Sequence, residues 1–212
     1  NWEAMRTRAK EIKQHTLENL DYYLEMLEGN VTRLGGHVFF AKDTAEANQY
    51  VLKLARDKGV KLVTKGKSMV SEEMGINHAL HDVGIEALET DLGEFIVQLA
   101  DETPFHIIAP AIHKSREDVS KLFTEKLNTP HHDDIGDLAG EARAQLREKF
   151  LAADMGVTGA NFVVAETGTL VIITNEGNGR LCTSAPRIHI GITGMEKVVP
   201  SMQDMAVFIR LL

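Results

Sequence analysis

Apolar residues in the first part of the chain recur at helical spacing: Met5, Ile12, Leu17, Leu20, Leu24, Leu27 and Val31, with charged residues between them. This pattern predicts a long helix over 2–34, ended by the Gly35–Gly36 pair. The period then changes. Short apolar runs, "HVFFA" (37–41), "VKLVT" (60–64), "IEALET" (85–90) and "FHIIA" (105–109), each precede a stretch of helical pattern. Two of those helices carry start signals, Asp43 with Glu46 and Ser115 with Asp118, each an acid three residues after a capping residue. Strands alternating with helices predict right-handed βαβ units, and so an open, mostly parallel sheet flanked by helices.

The second half reads differently. A helix of about 137–155 leads into "GANFVVAETGTLVIITNEGNGRL" and then "RIHIGIT", strands joined by short turns that predict an antiparallel or mixed extension of the sheet. "NTPHHDDIGD" (128–137) reads as a loop too short to link domains, and there is no internal repeat. The expected organisation is an N-terminal helical arm over 1–35 followed by an α/β domain over 36–212. The chain starts at Asn1 and stops at "MAVFIRLL", within an apolar helical pattern that shows no cap. It is therefore expected to be part of a longer polypeptide, truncated at the C-terminal end of that domain.

Composition narrows the function classes. With 43% hydrophobic and 25% charged residues in 212, the chain has the make-up of a soluble globular protein. A formal charge of −8 argues against general binding to nucleic acid or anionic membrane, since both need a basic face. Cys182 is the single cysteine, which excludes an intramolecular disulfide and a cysteine-ligated iron–sulfur cluster within these residues. No apolar run approaches the ~20 residues of a membrane span, and no signal-peptide pattern opens the chain, so a cytoplasmic location is the expectation.

Candidate chemistry gathers at strand ends. Glu166 lies between the apolar runs 162–165 and 170–173, beside a Thr167–Gly168 turn, where an unpaired carboxylate is costly. Pairing with an arginine and use as base, nucleophile or ligand contact are both open. "TKGKSM" (64–69) joins a strand to a helix, so Lys65, Lys67 and the helix N–H groups around Ser68 could converge on an anion. It is not a nucleotide-triphosphate loop, which would need glycine where Lys61 stands. Ser68 and Ser71 read as caps supported by Glu72 and Glu73.

In "ETDLGEF" (89–95), Asp91 reads as a helix cap with Glu94 three residues on, and Glu89 ends a strand where it could face a cleft. His113 and Lys114 follow a third strand, at the carboxyl edge where open α/β sheets bind ligands. "HHDD" (131–134) offers metal-ligand types, but adjacent residues do not easily chelate one ion, and a polar loop with no metal is the reading. "GNGRLC" (177–182) fails the dinucleotide fingerprint, having Cys182 at its third glycine position, and predicts a turn that leaves Arg180 free to clamp an anion. In "APRIHIGIT" (185–193), alternation puts Arg187 and His189 on the face opposite Ile188, Ile190 and Ile192.

Taken together, "KGKSMVSEEMGIN", "ETDLGEFIVQL", "PAIHKSREDV", "ADMGVTGANFVVAETGTLVIITNEGNGRL" and "PRIHIGITGMEKVVP" resemble the LUD (lactate-utilisation) domain family, in order and over most of 60–200. The resemblance implies a NagB/RpiA/CoA-transferase-like α/β fold. It also implies a cytoplasmic complex of three proteins that oxidises L-lactate to pyruvate and passes electrons through iron–sulfur centres. In such proteins a ferredoxin-type domain follows the LUD domain. The [4Fe–4S] clusters are then expected in that missing C-terminal domain, with no cofactor in this fragment. The partners expected are other lactate-utilisation subunits, a small carboxylate or phosphate-bearing ligand, and, as an option, a second copy of the chain.

In this reading Lys65, Lys67, Ser68, Lys114, Thr167, Gly168, Arg180, Arg187 and His189 form an anion-binding rim, and Glu166 and His113 are the candidate catalytic groups. Two alternatives stand beside it. "AETG" (165–168) has glutamate and glycine at the spacing found in CoA-transferases, which would make Glu166 an acyl-transfer nucleophile. A non-catalytic scaffold that docks partner subunits is the other.

Overall fold

The computed structural model describes residues 1–106, 109–174 and 176–212. In chain order, helices α1 (Trp2–Glu18), α2 (Leu20–Arg33) and α3 (Thr44–Asp57) precede strand β1 (Leu62–Lys65). Helices α4 (Met69–Glu73) and α5 (Ile76–His81), strand β2 (Glu86–Glu89) and helix α6 (Leu92–Leu99) follow. Then come α7 (Arg116–Leu127), α8 (Ile135–Ala152), and strands β3 (Met155–Gly159), β4 (Phe162–Val164) and β5 (Thr169–Val171). Helix α9 (Asn178–Ser184), strand β6 (Ile188–Ile192), a 3-10 turn at Met195–Lys197, strand β7 (Val198–Val199) and helix α10 (Met202–Ile209) complete the described elements.

By its internal contacts the chain forms two compact units, one of Asn1–Asp43, Gly159–Ile173 and Gly191–Leu212, the other of Thr44–Thr158 and Thr174–Ile190. In the first, β5, β4 and β7 form a sheet in that order, with β4 antiparallel to β5 and parallel to β7. The pairing is mixed, but these strands form a sheet of their own rather than the predicted extension of the parallel sheet, which of the second-half strands takes in β3 and β6. Successive residues of β4 serve opposite faces. Val163 packs with Leu27, Ala165 and Val198, while Val164 packs with Val199 and Met205.

The second unit holds the parallel sheet, in strand order β2-β1-β3-β6, with β1 parallel to both β2 and β3. All four residues of β1 are buried, as expected of a central strand covered on both faces. Phe95, Ile96, Phe123, Leu138, Leu146, Phe150 and Cys182 make a core from α6, α7, α8 and α9. At the amino end of β1, the Asp154 carboxylate accepts from the Lys61 and Leu62 N–H groups, which holds it below the usual carboxylate range.

The α/β architecture with a parallel sheet is as the alternation predicts, and four local readings need correcting or setting aside. The N-terminal helix is two helices. Asn19 leaves the helical conformation (φ −127°, ψ 36°) and its side-chain amide donates back to the His15 carbonyl, so the side chain competes with the helix at that point. "HVFFA" forms no strand, and Phe39 and Phe40 are each 43% exposed. "GNGRL" is not a turn but opens α9, because Cys182 is drawn wholly into the core and winds the segment around it. The strand predicted at 105–109 falls on residues 107 and 108, outside the described residues.

Candidate functional site

Strands β1 and β2 end side by side, with Lys65 in register with Glu89. Their side chains form a buried ion pair, Lys65 Nζ to Glu89 Oε1 at 2.8 Å, with side-chain exposures of 1% and 7%. Further hydrogen bonds offset part of the cost of taking two such charges out of water. Lys65 also donates to Ser71 Oγ at 3.1 Å, and Ser71 donates onward to the Ser68 carbonyl. Asn77 Nδ2 donates to Glu89 Oε1 at 2.6 Å. The loops after the strands begin helices here: Ser68 caps α4 by accepting from Ser71 N, and Asp91 caps α6 by accepting from Gly93 N.

Glu94, in the first turn of α6, is only 4% exposed and lies 3.2 Å from Lys67 Nζ. Burial first, and then the neighbouring Asp91, push its carboxyl up to about 8, so it is protonated at neutral pH. Glu72 and Glu176 are raised too, chiefly by burial, each sensing Lys67. The cluster is therefore richer in acids than in lysines. Among the described residues, Glu89 Oε2 is buried with no hydrogen-bond partner, an open acceptor within the cluster.

Chemically the arrangement offers a half-exposed ammonium, Lys67, beside a carboxyl group whose proton is exchangeable near neutral pH. Lys67 can pair with a ligand carboxylate. Glu94 can give a hydrogen bond while protonated and take a hydroxyl proton while ionised.

The structure sorts the sequence-predicted residues into separate groups. Lys65, Lys67 and Ser68 belong to this cluster. His113 Nε2 meets Glu102 Oε2 at 2.6 Å, and Lys114 meets the other oxygen of the same carboxylate, which holds Glu102 below the usual range. Arg187 is 73% exposed and lies 3.9 Å from Asp154. His189 Nε2 lies 2.8 Å from Thr158 Oγ1, and burial lowers its pKa, which keeps it neutral. Arg180 is on the exposed side of α9, its carbonyl accepting from Thr183 and Ser184.

Glu166, Thr167 and Gly168 belong to the first unit. There the exposed Glu166 carboxylate accepts from Met202 N at 3.0 Å, at the start of α10, and the Asn30 amide donates to the Glu166 carbonyl. The predicted turn is present: Gly168 has φ +69°, and a Cβ there would stand 3.0 Å from the Val31 side chain.

Asn77, Glu94 and Glu102 lie outside the anion-binding rim that the sequence predicts, and Glu89 enters there only as a strand end that could face a cleft. The available signal for two of them was positional, since Glu89 closes its strand as Lys65 closes β1, and Glu94 follows the Asp91 cap at an otherwise apolar helix start.

No described helix is long and apolar enough to cross a membrane. The single cysteine, Cys182, is buried against Thr90 and its thiol is pushed up by that burial, so these residues do not fit a thiolate-ligated cluster.

The LUD domain family matches residues 24–212. Lactate utilization protein B of Bacillus cereus (strain AH820) is 51% identical over 212 residues, all of this chain and 45% of that protein. The proteins of the same name from Bacillus thuringiensis (strain Al Hakam) and Bacillus anthracis (strain A0248) match at the same identity and coverage. The chain thus spans less than half the length of these relatives, and no solved structure matches it. With a match running from the second helix to the last residue, the chain belongs to the LUD domain family.

Proposed function

We propose that this chain serves lactate utilisation as the LUD domain of an iron–sulfur protein, within a complex that oxidises L-lactate to pyruvate. The acid–lysine cluster at the carboxyl ends of β1 and β2 is its binding site for the small hydroxy- or oxo-carboxylate. The observation that carries the reading is the 51% identity with lactate utilization protein B over every residue of the chain. The geometry supports the location: parallel strands end there, Lys67 offers a cation, and Glu94 holds an exchangeable proton. Lys67 pairs with the ligand carboxylate and Glu94 exchanges the proton of the hydroxyl group being oxidised. Iron–sulfur centres outside these residues would accept the two electrons, with the Cα hydrogen released as the second proton.

The test is lactate-dependent dye reduction by the assembled complex carrying the full-length protein. Lys67→Met is expected to raise KM at least about 10-fold, the loss of one charge-assisted contact. Glu94→Gln is expected to lower kcat by about 100-fold, the scale of general acid–base catalysis. Wild-type kinetics in both variants would sink the site, whereas a wild-type complex inert toward lactate would sink the lactate reading itself.

A further inference from the structure

The "HHDD" segment gains from the fold what its sequence lacks, a ligand from a second element. Glu117, in the first turn of α7, lies across from the loop that follows the same helix. His131 Nε2 is 3.8 Å from Glu117 Oε2 and 3.5 Å from Asp133 Oδ1, and one ligand atom from each of the three residues falls within a 4.8 Å span. The longer distance exceeds hydrogen-bonding range and the shorter one is at its limit. Both are close to the roughly 3.4 Å that separates donor atoms around one tetrahedral ion with bonds of about 2.1 Å.

The imidazole is also held from behind. His131 Nδ1 is 3.0 Å from Ser120 Oγ, a wholly buried hydroxyl that itself accepts from His132 N at 2.9 Å. Ser120 sits one turn after Glu117 on α7, so one helix face supplies both a carboxylate and the group that orients the ring. With Nδ1–H donating to Ser120, the Nε2 lone pair faces the two carboxylates, the arrangement in which a ring is fixed by its second nitrogen.

Lys121 approaches Glu117 through Oε1 at 3.7 Å, leaving Oε2 to face the imidazole. His132 is engaged elsewhere, with Glu141 at 3.2 Å.

We propose that Glu117, His131 and Asp133 form a surface site for a divalent transition-metal ion of the zinc class, with water completing the coordination, which staples the 128–134 loop to α7. One imidazole and two carboxylates suit Zn2+ better than Mg2+ or Ca2+, which favour all-oxygen sets. This site is separate from the acid–lysine cluster and stands or falls independently of the lactate reading.

The experiment is calorimetric titration of the chelator-treated 212-residue chain with Zn2+ alone, alongside limited proteolysis of the 128–134 loop. Saturable uptake of one ion and slower cleavage of the loop are expected. His131→Ala and Glu117→Gln should each weaken binding at least about 10-fold. His132→Ala should leave the affinity within about twofold, since its ring is not a ligand. Circular dichroism of each variant separates lost ligation from lost fold, and Asp133→Asn, at an exposed loop position, provides a further variant with the same expected loss. Absence of saturable Zn2+ uptake, an affinity unchanged by His131→Ala, or equal losses from His131→Ala and His132→Ala would overturn the site.

Discussion

Lys65 Nζ and Glu89 Oε1 stand 2.8 Å apart, each on the last residue of its strand and each enclosed by protein. Removing one partner from such a pair strands an uncompensated charge in the interior, which costs about 3–5 kcal/mol. Lys65→Met and Glu89→Leu should each lower unfolding stability by about that amount. The double variant should lose much less than the sum, because neither charge is then left alone. Urea denaturation of the four proteins reads this directly. Single losses below about 1 kcal/mol would mean that water reaches the pair.

Glu94 gives the pH dependence. Its folded pKa is raised to about 8 from a reference of 4.5, so between those values the folded chain holds a proton that the unfolded chain has released. Stability therefore falls with rising pH in that window. The contribution is whole below about pH 4.5 and lost as pH climbs through 8. Thermal unfolding from pH 5 to 9 should show this decline, and Glu94→Gln, which cannot ionise, should flatten it. A slope equally steep in the variant would assign the proton to another group, such as Glu72 or Glu176, which burial also raises.

Much of the frame was legible because its signals are local. Ser115 and Asp118 form the reciprocal capping box their spacing predicts, and β1 and β2 emerge from short apolar runs followed by helix caps. What was not legible is decided by distant partners. The run 37–41 is apolar enough for a strand, yet two phenylalanines in it remain exposed. The 178–184 segment is helical because Cys182 finds a core built from α6, α7 and α8.

At the candidate site, one loop brings Lys65, Lys67 and Ser68 close together, as their sequence adjacency requires. The acid-rich character of the cluster came from β2 and α6, whose carboxylates read in sequence as a strand end and a helix cap. His113 and Lys114 are adjacent in sequence, but their shared partner Glu102 precedes them by 11 and 12 residues, on the other side of the 105–109 apolar run.

Glu166 makes a contact that predicts a modest structural role. Its carboxylate accepts from Met202 N, where the start of α10 favours negative charge. Glu166→Gln keeps an acceptor and loses only the charge, so about 0.5 kcal/mol of stability should go. Glu166→Ala removes the acceptor as well and should cost about 1 kcal/mol. Chemical denaturation distinguishes the two. The Glu166→Gln protein also tests the acyl-transfer alternative, since hydroxylamine-sensitive labelling by acyl-CoA should vanish in it if Glu166 is a nucleophile. Labelling absent from the wild type removes that role.

A pair of glycines separates close packing from mere permissiveness. Gly156, paired with Thr64 in the sheet, lies under α9 so closely that a Cβ there would meet the Cys182 carbonyl oxygen at 1.8 Å. That neighbour is helix backbone and cannot swing aside, so α9 would have to lift from β3. Gly156→Ala should then cost at least about 3 kcal/mol, the upper range of overpacking. Gly140, exposed within α8, has nothing within 4 Å of its would-be Cβ. There alanine only removes backbone freedom from the unfolded chain, and Gly140→Ala should stabilise by about 0.5–1 kcal/mol. Opposite signs in the two variants under the same denaturant are the expected result. A tolerated Gly156→Ala would mean that α9 does not rest on β3, and Cys182 would then become accessible to thiol reagents.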